Sequence, residues 1–336
     1  MIEDLLSDWA VQEYGPGWSV DCVAPMPGNA GLSFGFNLHE PGGRLSEALV
    51  IRFAPPGVRR SGATDVLAQV PILRGLGERS LPVAPLRWYG DESGCLGIDA
   101  FVVARLPGRP FHMTEEVGSA TPGPGGPAEL FDRAVDALAV IHAVPWAELH
   151  MKTEGPRSLA AEIDLWGRLL RRVEDPPHPA AAQLEADLMA TMRTDVQVGL
   201  FHGDFQTNNL LFEKGRLTGI LDWELAGVGA QLLDLGWLAM MTDPASWEEG
   251  YRTRLRTVSD RESLRLRYEL TSGRAVPNFD WFVALACFRF GAILSYNTML
   301  HRTGRRPDPL YDLMAPSFPC LLERGSELIS NERKKG

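Results

Sequence analysis

The order of strand-like and helix-like patterns along the chain limits the folds that it can adopt. Three early runs, WSVDCVAPM, SFGFNLHE and EALVIRF, are rich in β-branched and aromatic residues. Glycine-rich turns at Gly28–Gly31 and Pro41–Ser46 separate them, which predicts an antiparallel meander. Later, over Leu130–Ile141, apolar residues recur three and four apart, and this spacing predicts helices. Such segregation predicts an α+β fold rather than a doubly wound parallel sheet.

The length of the chain and a change from strand-like to helix-like sequence patterns after Leu106 predict two domains. At 336 residues the chain is long for one domain. We predict a strand-rich domain over 1–106 and a mostly helical domain over 107–336. The segment Gly118–Pro127, GSATPGPGGP, is predicted to be a surface loop because glycine and proline dominate it. A polar hairpin with its turn at Glu213–Arg216 is expected inside the helical domain.

Charge and composition argue against several classes of partner. A formal net charge of -10 repels phosphate backbones, so we do not expect a nucleic-acid partner. No apolar run reaches the roughly 18 residues of a membrane span, and the acidic start MIEDLLSDWA lacks the features of a secretory signal. We therefore expect a cytoplasmic protein without a membrane partner. No CxxC pair occurs, so neither a zinc site nor a disulfide scaffold is predicted.

The stretch FHGDFQTNNLLF, from Phe201 to Phe212, has more adjacent polar side chains than a core element can use. Asp204 and Asn209 lie five residues apart, and Asp222 follows the apolar run LTGIL beyond the hairpin. Phosphoryl transfer from a nucleotide needs a carboxylate that orients the acceptor hydroxyl, oxygen ligands for magnesium and a cation on the phosphates. These three side chains could supply the carboxylate and the metal ligands, if the hairpin lets them converge on one ion.

On these residues, the chain resembles the aminoglycoside phosphotransferase and choline kinase family, relatives of the protein kinases. HGDFQTNN matches the family motif H-x-D-x-x-x-x-N, and ILDWE matches its second motif, an aspartate after an apolar strand. The resemblance implies a bilobal, protein-kinase-like fold with a small antiparallel-sheet lobe for the nucleotide and a large helical lobe for the acceptor. It also implies that Asp204 is the catalytic base, that Asn209 and Asp222 bind Mg²⁺, and that ATP or GTP is the phosphate donor.

The same resemblance extends to the N-terminal strands, where it implies the nucleotide contacts. A glycine loop would cover the phosphates, a strand cation would bind them, and a hinge segment would lie along the adenine. The implied residues are Gly28, Gly31 and Ser33 in the loop, Arg52 on the strand, and Val103, Ala104 and Arg105 in the hinge. An ordinary hairpin turn and a strand-edge cation would account for the same loop and for Arg52.

Two departures from the family pattern bear on nucleotide binding. The helix glutamate that usually pairs with the strand cation aligns with Gln69, so the ion pair would become an arginine–glutamine contact or be lost. The loop also has Ala30 and Gly31 where relatives commonly have Ser-Asn.

Other matching segments imply structural roles. His142 is expected to be a core histidine, and Asp234 is expected to bind the backbone of the catalytic loop. The aromatic residues around 281–290 are expected to be core rather than a ligand cage. The late helix FVALACFRFGAILS, with Arg289, is most similar to the branch related to acyl-CoA dehydrogenase fusion proteins.

The favoured function is an ATP-dependent kinase that acts on a hydroxyl group of a small molecule. A nucleotide-binding protein with little or no turnover and a metal-dependent hydrolase are the alternatives. Polycationic acceptors call for surplus acidic residues, but Gln231–Gly336 has 13 Asp and Glu against 15 Lys and Arg. Aminoglycosides, macrolides, sugars, nucleosides, choline-like alcohols and hydroxyacyl compounds all stay open as acceptors, and the oligomeric state is not predicted.

Overall fold

The computed structural model describes residues 2–26, 32–55, 57, 64–114, 119, 120, 122, 123, 126–174, 178–256 and 259–335. They form two compact units. The first comprises Met1–Gly108, Trp146–Lys152 and Thr218–Ala226, and the second comprises Arg109–Pro145, Thr153–Leu217 and Gly227–Gly336. The predicted α+β class is confirmed, because an antiparallel sheet dominates the N-terminal region and helices dominate the C-terminal region.

The first unit is built on a five-stranded antiparallel sheet with the strand order β1-β2-β3-β5-β4. Among its described residues are two α-helices, and the second has Pro71 in its first turn, where proline costs no hydrogen bond. Its elements are α1 (Ile2–Tyr14), β1 (Ser19–Pro25), β2 (Leu32–His39), β3 (Leu45–Phe53), α2 (Val70–Glu78), β4 (Leu86–Gly90) and β5 (Ala100–Ala104).

The register of the sheet decides which side chains share a face. Ser33 on β2 lies opposite Arg52 on β3, and Val50 lies opposite both Gly35 and Val103 of β5. Directly opposed residues place their side chains on the same face, and so do alternate residues along a strand. Ser33, Arg52 and Val103 therefore project from one face of the sheet.

The other face of the sheet forms the core of the first unit. Leu49, Ile51 and Val102 alternate with the residues above and are almost completely buried. They pack with Leu6 and Trp9 of α1 in one apolar cluster. Because a slip of one residue would exchange the two faces, this burial fixes the register that presents Arg52.

The second unit is mostly helical. The predicted hairpin turn is present, and Lys214 and Gly215 both adopt positive φ angles in it. The elements are β6 (Arg109–Pro110), α3 (Gly126–His142), α4 (Leu159–Arg171), α5 (Pro179–Ala190), β7 (Val198–Phe201), β8 (Leu210–Glu213), β10 (Gly227–Ala230), α6 (Leu232–Thr242), α7 (Glu249–Arg252), α8 (Arg261–Ser272), α9 (Phe279–Arg302), α10 (Leu310–Met314) and α11 (Ser317–Lys335). Strand β9 (Arg216–Ile220) begins in the second unit and ends in the first. Helix α3 begins within the segment that was predicted to be irregular, and residues 118, 121, 124 and 125 of that segment lie outside the described residues.

Helix α9 is the centre of the second unit. It is long and apolar enough to cross a membrane, but 72% of its most apolar window is buried within the protein. It packs against α4, α6 and α11, and Phe282 contacts α6 so closely that a Cβ atom on Gly236 would lie 2.6 Å from its carbonyl oxygen. This packing accounts for the apolar composition of α9, and it confirms that Trp281, Phe282, Phe288 and Phe290 are core residues.

Candidate active site

The predicted catalytic loop follows β7 in the second unit. Strand β7 pairs with β10 in antiparallel fashion, and the chain leaves it at His202, whose side chain is completely buried. Gly203 has a φ angle of 86°, a conformation that glycine adopts without strain. The loop then turns through the 3-10 segment Thr207–Asn209 into β8.

Asp234, near the start of α6, holds the backbone of this loop. Its carboxylate accepts hydrogen bonds of 2.7 Å from the backbone N–H groups of both His202 and Gly203. It also accepts one of 3.2 Å from His142 Nε2, and the Nδ1 atom of that ring lies 2.7 Å from the Tyr268 hydroxyl. These contacts confirm that Asp234 binds the loop backbone and that His142 is a core histidine.

The ionisation of Asp234 depends on these contacts. Burial of the carboxyl raises its pKa, but the hydrogen bonds and charges of His142 and His202 outweigh burial and hold the pKa below the ordinary value. Burial likewise raises the pKa of Tyr268 to about 12, so the hydroxyl keeps its proton. Asp234 is therefore a charged acceptor for the backbone N–H groups of His202 and Gly203.

Asp204 is held in one orientation by three side chains. Its Oδ1 atom accepts hydrogen bonds of 2.8 Å from Trp237 Nε1 and from Gln206 Nε2. Its Oδ2 atom accepts a hydrogen bond of 2.8 Å from the amide nitrogen of Asn209. The backbone N–H of Asp204 donates to His202 Nδ1 at 3.1 Å. The carboxylate is thus oriented by the loop and by α6.

Asn209 links the two ends of the loop. Its Nδ2 atom also donates to the backbone oxygen of Asp204, at 2.9 Å. Both hydrogen bonds use the amide nitrogen, so they assign the orientation of the amide. Oδ1 is therefore the atom that can coordinate a metal ion. The amide oxygen of Asn209 is a suitable donor for a hard cation such as Mg²⁺.

Arg289 of α9 is buried next to the loop, and the sequence did not indicate its role. Its side chain is 3% exposed, and Nη2 donates to the backbone oxygen of Gly203. The guanidinium carbon lies 4.6 Å from the ring centre of Trp237 and 4.8 Å from that of Trp166. Arg289 therefore contacts the backbone just before Asp204 and the indole that donates to Asp204.

A buried glutamate compensates the charge of Arg289. Glu162 Oε1 lies 4.0 Å from Arg289 Nη1, and Arg157 and Trp166 donate to the same carboxylate at 2.8 and 2.7 Å. Burial raises the pKa of Glu162, but Arg289 and Arg157 outweigh it and keep the pKa below its usual value. Burial lowers the pKa of Arg289, although Glu162, Asp204 and Asp234 oppose that effect. A single arginine in the apolar run of α9 was the only sequence signal of this network.

In the first unit, most of the described residues that were predicted to bind nucleotide lie on or beside one face of the sheet. Ser33, Arg52 and Val103 share that face, and Arg105 Nη1 lies 3.8 Å from where a Cβ atom on Gly35 would be. Ala104 projects from the opposite face, and its N–H donates to Pro85 O at 2.9 Å. Gly28 and Gly31 lie outside the described residues.

Arg52 makes ion pairs with two acidic residues that follow β9. Its Nη1 atom donates to Asp222 Oδ1 at 2.9 Å, and its Nη2 atom donates to Glu224 Oε2. Asp222 has a φ angle of 64°, in the left-handed region that aspartate adopts more readily than most residues. Gln69, which aligns with the expected helix glutamate, is 3% exposed, and its Nε2 atom has no hydrogen-bond partner among the described residues.

The two side chains that were predicted to bind a metal each carry a type of donor atom that Mg²⁺ binds. Asn209 offers an amide oxygen and Asp222 a carboxylate, and Mg²⁺ commonly takes one or two such ligands together with phosphate oxygens and waters. Within the described part of the chain, no group of three or more His, Cys, Asp or Glu side chains could hold a metal by itself.

Comparison with known proteins defines the class. The model of the phosphotransferase enzyme family matches residues 28–267, so the chain belongs to that family. A solved structure from Ralstonia eutropha, described as a candidate aminoglycoside phosphotransferase, is similar over 98% of both chains with a TM-score of 0.77 and 21% identity. The aminoglycoside phosphotransferase APH(4)-Ia, solved with AMP-PNP and hygromycin B, matches 98% of this chain and 97% of its own, with a TM-score of 0.58 and 15% identity. The fold is the kinase-like fold of these enzymes, as the sequence predicted.

The curated relatives are longer proteins. Acyl-CoA dehydrogenase family member 11 of Pongo abelii is 24% identical over 259 residues, which cover 74% of this chain and 33% of that protein. The chain thus spans about a third of the length of this relative. The predicted likeness to the branch related to acyl-CoA dehydrogenase fusion proteins is confirmed. The family model and the fold together support a kinase-like phosphotransferase.

Proposed function

We propose that the protein transfers the γ-phosphate of ATP to a hydroxyl group of a small molecule and uses Mg²⁺. The observation that carries this proposal is the fixed orientation of the Asp204 carboxylate. Its oxygens accept hydrogen bonds from Trp237, Gln206 and Asn209, on a loop whose backbone is bound by Asp234. Such fixed geometry is what a phosphotransferase needs, because catalysis in this reaction is mostly positioning and charge stabilisation.

In this proposal Asp204 orients the acceptor hydroxyl and takes its proton as the hydroxyl oxygen bonds to the γ-phosphorus. The bond from that phosphorus to the β,γ-bridging oxygen breaks, and ADP leaves. Asn209 in the second unit and Asp222 in the first are proposed as oxygen ligands of Mg²⁺. When bound, the ion neutralises the charge of the phosphate oxygens. We place Arg52 and Ser33 on the phosphates, together with the backbone at Gly28 and Gly31, and Val103, Ala104 and Arg105 along the base.

The use of ATP is supported by the complex of APH(4)-Ia with AMP-PNP, although that enzyme is only 15% identical to this chain. The curated relatives add a reason to include acyl compounds with a hydroxyl group among the acceptors. Use of ATP is also consistent with the predicted cytoplasmic location.

The experiment is a screen for phosphorylated product. The purified chain, ATP or GTP, and Mg²⁺ are incubated with aminoglycosides, macrolides, sugars, nucleosides, choline-like alcohols and hydroxyacyl compounds, and products are detected by mass spectrometry. We expect one class to gain a phosphate group. Asp204→Asn should lower the rate by about a hundredfold or more, because general base catalysis contributes that much. An Asp204→Asn chain that is as active as the wild type contradicts the assignment.

One observation favours a second function, nucleotide binding with little turnover. Gln69 stands where the family pattern has a glutamate, and the paired cation Arg52 is engaged with Asp222, a proposed metal ligand. If this second function is correct, ATP and Mg²⁺ will raise the melting temperature of the protein, but no member of the acceptor panel will be phosphorylated.

A further inference from the structure

The family's helix glutamate is a glutamine, Gln69, in this chain, so another residue must position Arg52. In protein kinases the strand cation acts on the nucleotide phosphates only when a carboxylate holds it in place. Here the aligned residue is Gln69, whose side chain is buried and whose Nε2 atom has no partner among the described residues. A neutral amide cannot supply the missing charge.

The structure offers another carboxylate in the same unit. Glu224 lies in the 3-10 turn Trp223–Leu225, directly after Asp222, and this turn contacts the turn Val66–Gln69. Its carboxylate accepts from Arg52 Nη2, and the two side chains are 15% and 13% exposed. Glu224 is thus shielded from water, and its turn contacts the turn that contains Gln69.

The choice of arginine on β3 agrees with this arrangement. A guanidinium presents its donors in a planar fork and can reach two carboxylates at once, whereas a lysine ammonium is a single compact charge. Arg52 uses this fork, with Nη1 on Asp222 and Nη2 on Glu224. Asp222 is the more exposed of the two acids, at 29% against 15%. Asp222 is also the acid that is proposed to bind Mg²⁺.

We propose that Glu224 is the positioning residue for Arg52 and takes the role of the family's helix glutamate, whose aligned position in this chain is Gln69. This inference rests on the proposed function, since it concerns the cation that binds the nucleotide phosphates. With Glu224 in place, Arg52 keeps a fixed orientation when Asp222 binds Mg²⁺. Without Glu224, Arg52 loses the less exposed of these two carboxylates, and its ion pair with Asp222 competes with the metal.

The test compares two substitutions in the first unit. Affinity for ATP with Mg²⁺ is measured by calorimetry, and kcat and KM are measured with the best acceptor. Glu224→Gln should weaken ATP binding about tenfold or more, because it removes one charged partner of a shielded hydrogen bond. The KM for the acceptor should not change. Gln69→Ala, the matched control, should change ATP affinity by less than about threefold.

Two further variants keep the test decisive. Glu224→Asp, which retains the charge, should recover part of the lost affinity, and Arg52→Lys, which retains the charge but not the fork, should lose affinity as Glu224→Gln does. If Glu224→Gln does not fold, Arg52→Lys decides, and unchanged ATP affinity in that variant overturns the inference. It is also overturned if Glu224→Gln binds ATP as the wild type does, or if Gln69→Ala loses as much affinity. A wild-type chain that binds neither ATP nor GTP overturns the proposed function instead, and the inference with it.

Discussion

The loop that carries Asp204 and the sheet face that carries Arg52 are built in different ways. Around the loop, charged side chains are removed from water: Asp234 is completely buried, and the side chain of Arg289 is 3% exposed. At the sheet face, the ion pairs of Arg52 join side chains that are 13% to 29% exposed. Buried charges that lose a partner are costly, whereas partly hydrated ones can exchange partners. The molecule therefore surrounds its proposed base with buried charges, whereas Asp222, the more exposed partner of Arg52, can exchange partners.

The largest expected effect concerns Arg289. Arg289→Met leaves Glu162 short of a buried partner and removes the donor to the Gly203 carbonyl. We expect the free energy of unfolding to fall by about 3–5 kcal/mol, as when a buried pair is broken. Urea unfolding measures this.

Arg157→Met is the matched control for that change. Arg157 binds the same Glu162 carboxylate, but its side chain is 40% exposed. Its loss should cost about 1 kcal/mol or less. Equal losses in the two variants would show that burial does not distinguish these contacts.

Acid should weaken the loop through Asp234. Its pKa is lower in the folded chain than the ordinary 3.8, so its ionised form stabilises the fold at neutral pH. That contribution is present above the ordinary pKa and is lost as the pH falls through the lower folded pKa. The free energy of unfolding, measured from pH 5 to pH 3, should fall more steeply in the wild type than in Asp234→Asn. Parallel curves would mean that Asp234 is not a charged partner of the loop.

The indole of Trp237 should affect catalysis more than stability. Trp237→Phe removes one donor to the Asp204 carboxylate but keeps a ring beside Arg289. We expect kcat to fall about tenfold or more, since hydrogen bonds to charged groups contribute about 1.5–3 kcal/mol. Trp166→Phe keeps the other ring contact with Arg289 and removes a donor to Glu162 instead of Asp204, so it should lower kcat far less. Equal kcat losses would argue that the rings act only by packing.

The smallest stability effect is expected at the sheet face. Glu224→Gln keeps a hydrogen-bond acceptor for Arg52, so the free energy of unfolding should fall by about 1 kcal/mol or less. The same variant is expected to lose ATP affinity, whereas the effect expected for Arg289→Met is on stability. A stability loss as large as that of Arg289→Met would remove the distinction between the two regions.

Local sequence patterns were sufficient for the strands β1 to β3, and the family resemblance was sufficient for the contact of Asp234 with the loop of Asp204 and Asn209. Motif spacing specifies such a loop because its groups lie close together in the chain or at the ends of adjacent elements. Helix α1 was not predicted, although it covers the core face of the sheet. The partners of Arg289 and Arg52 could not be predicted, because Arg289 contacts Gly203 across 86 positions and Arg52 contacts Glu224 across 172. Such pairs depend on packing rather than on local pattern.

The central claim, that Asp204 acts on the acceptor hydroxyl and not on the nucleotide, is tested most directly in a single turnover. Wild-type and Asp204→Asn chains are loaded with γ-labelled ATP and Mg²⁺, and label transfer to the acceptor is followed after rapid mixing. The account predicts equal ATP affinity in both chains and a transfer rate that is lower in the variant by about a hundredfold or more. Equal transfer rates, or a loss that is explained entirely by weaker ATP binding, would contradict it.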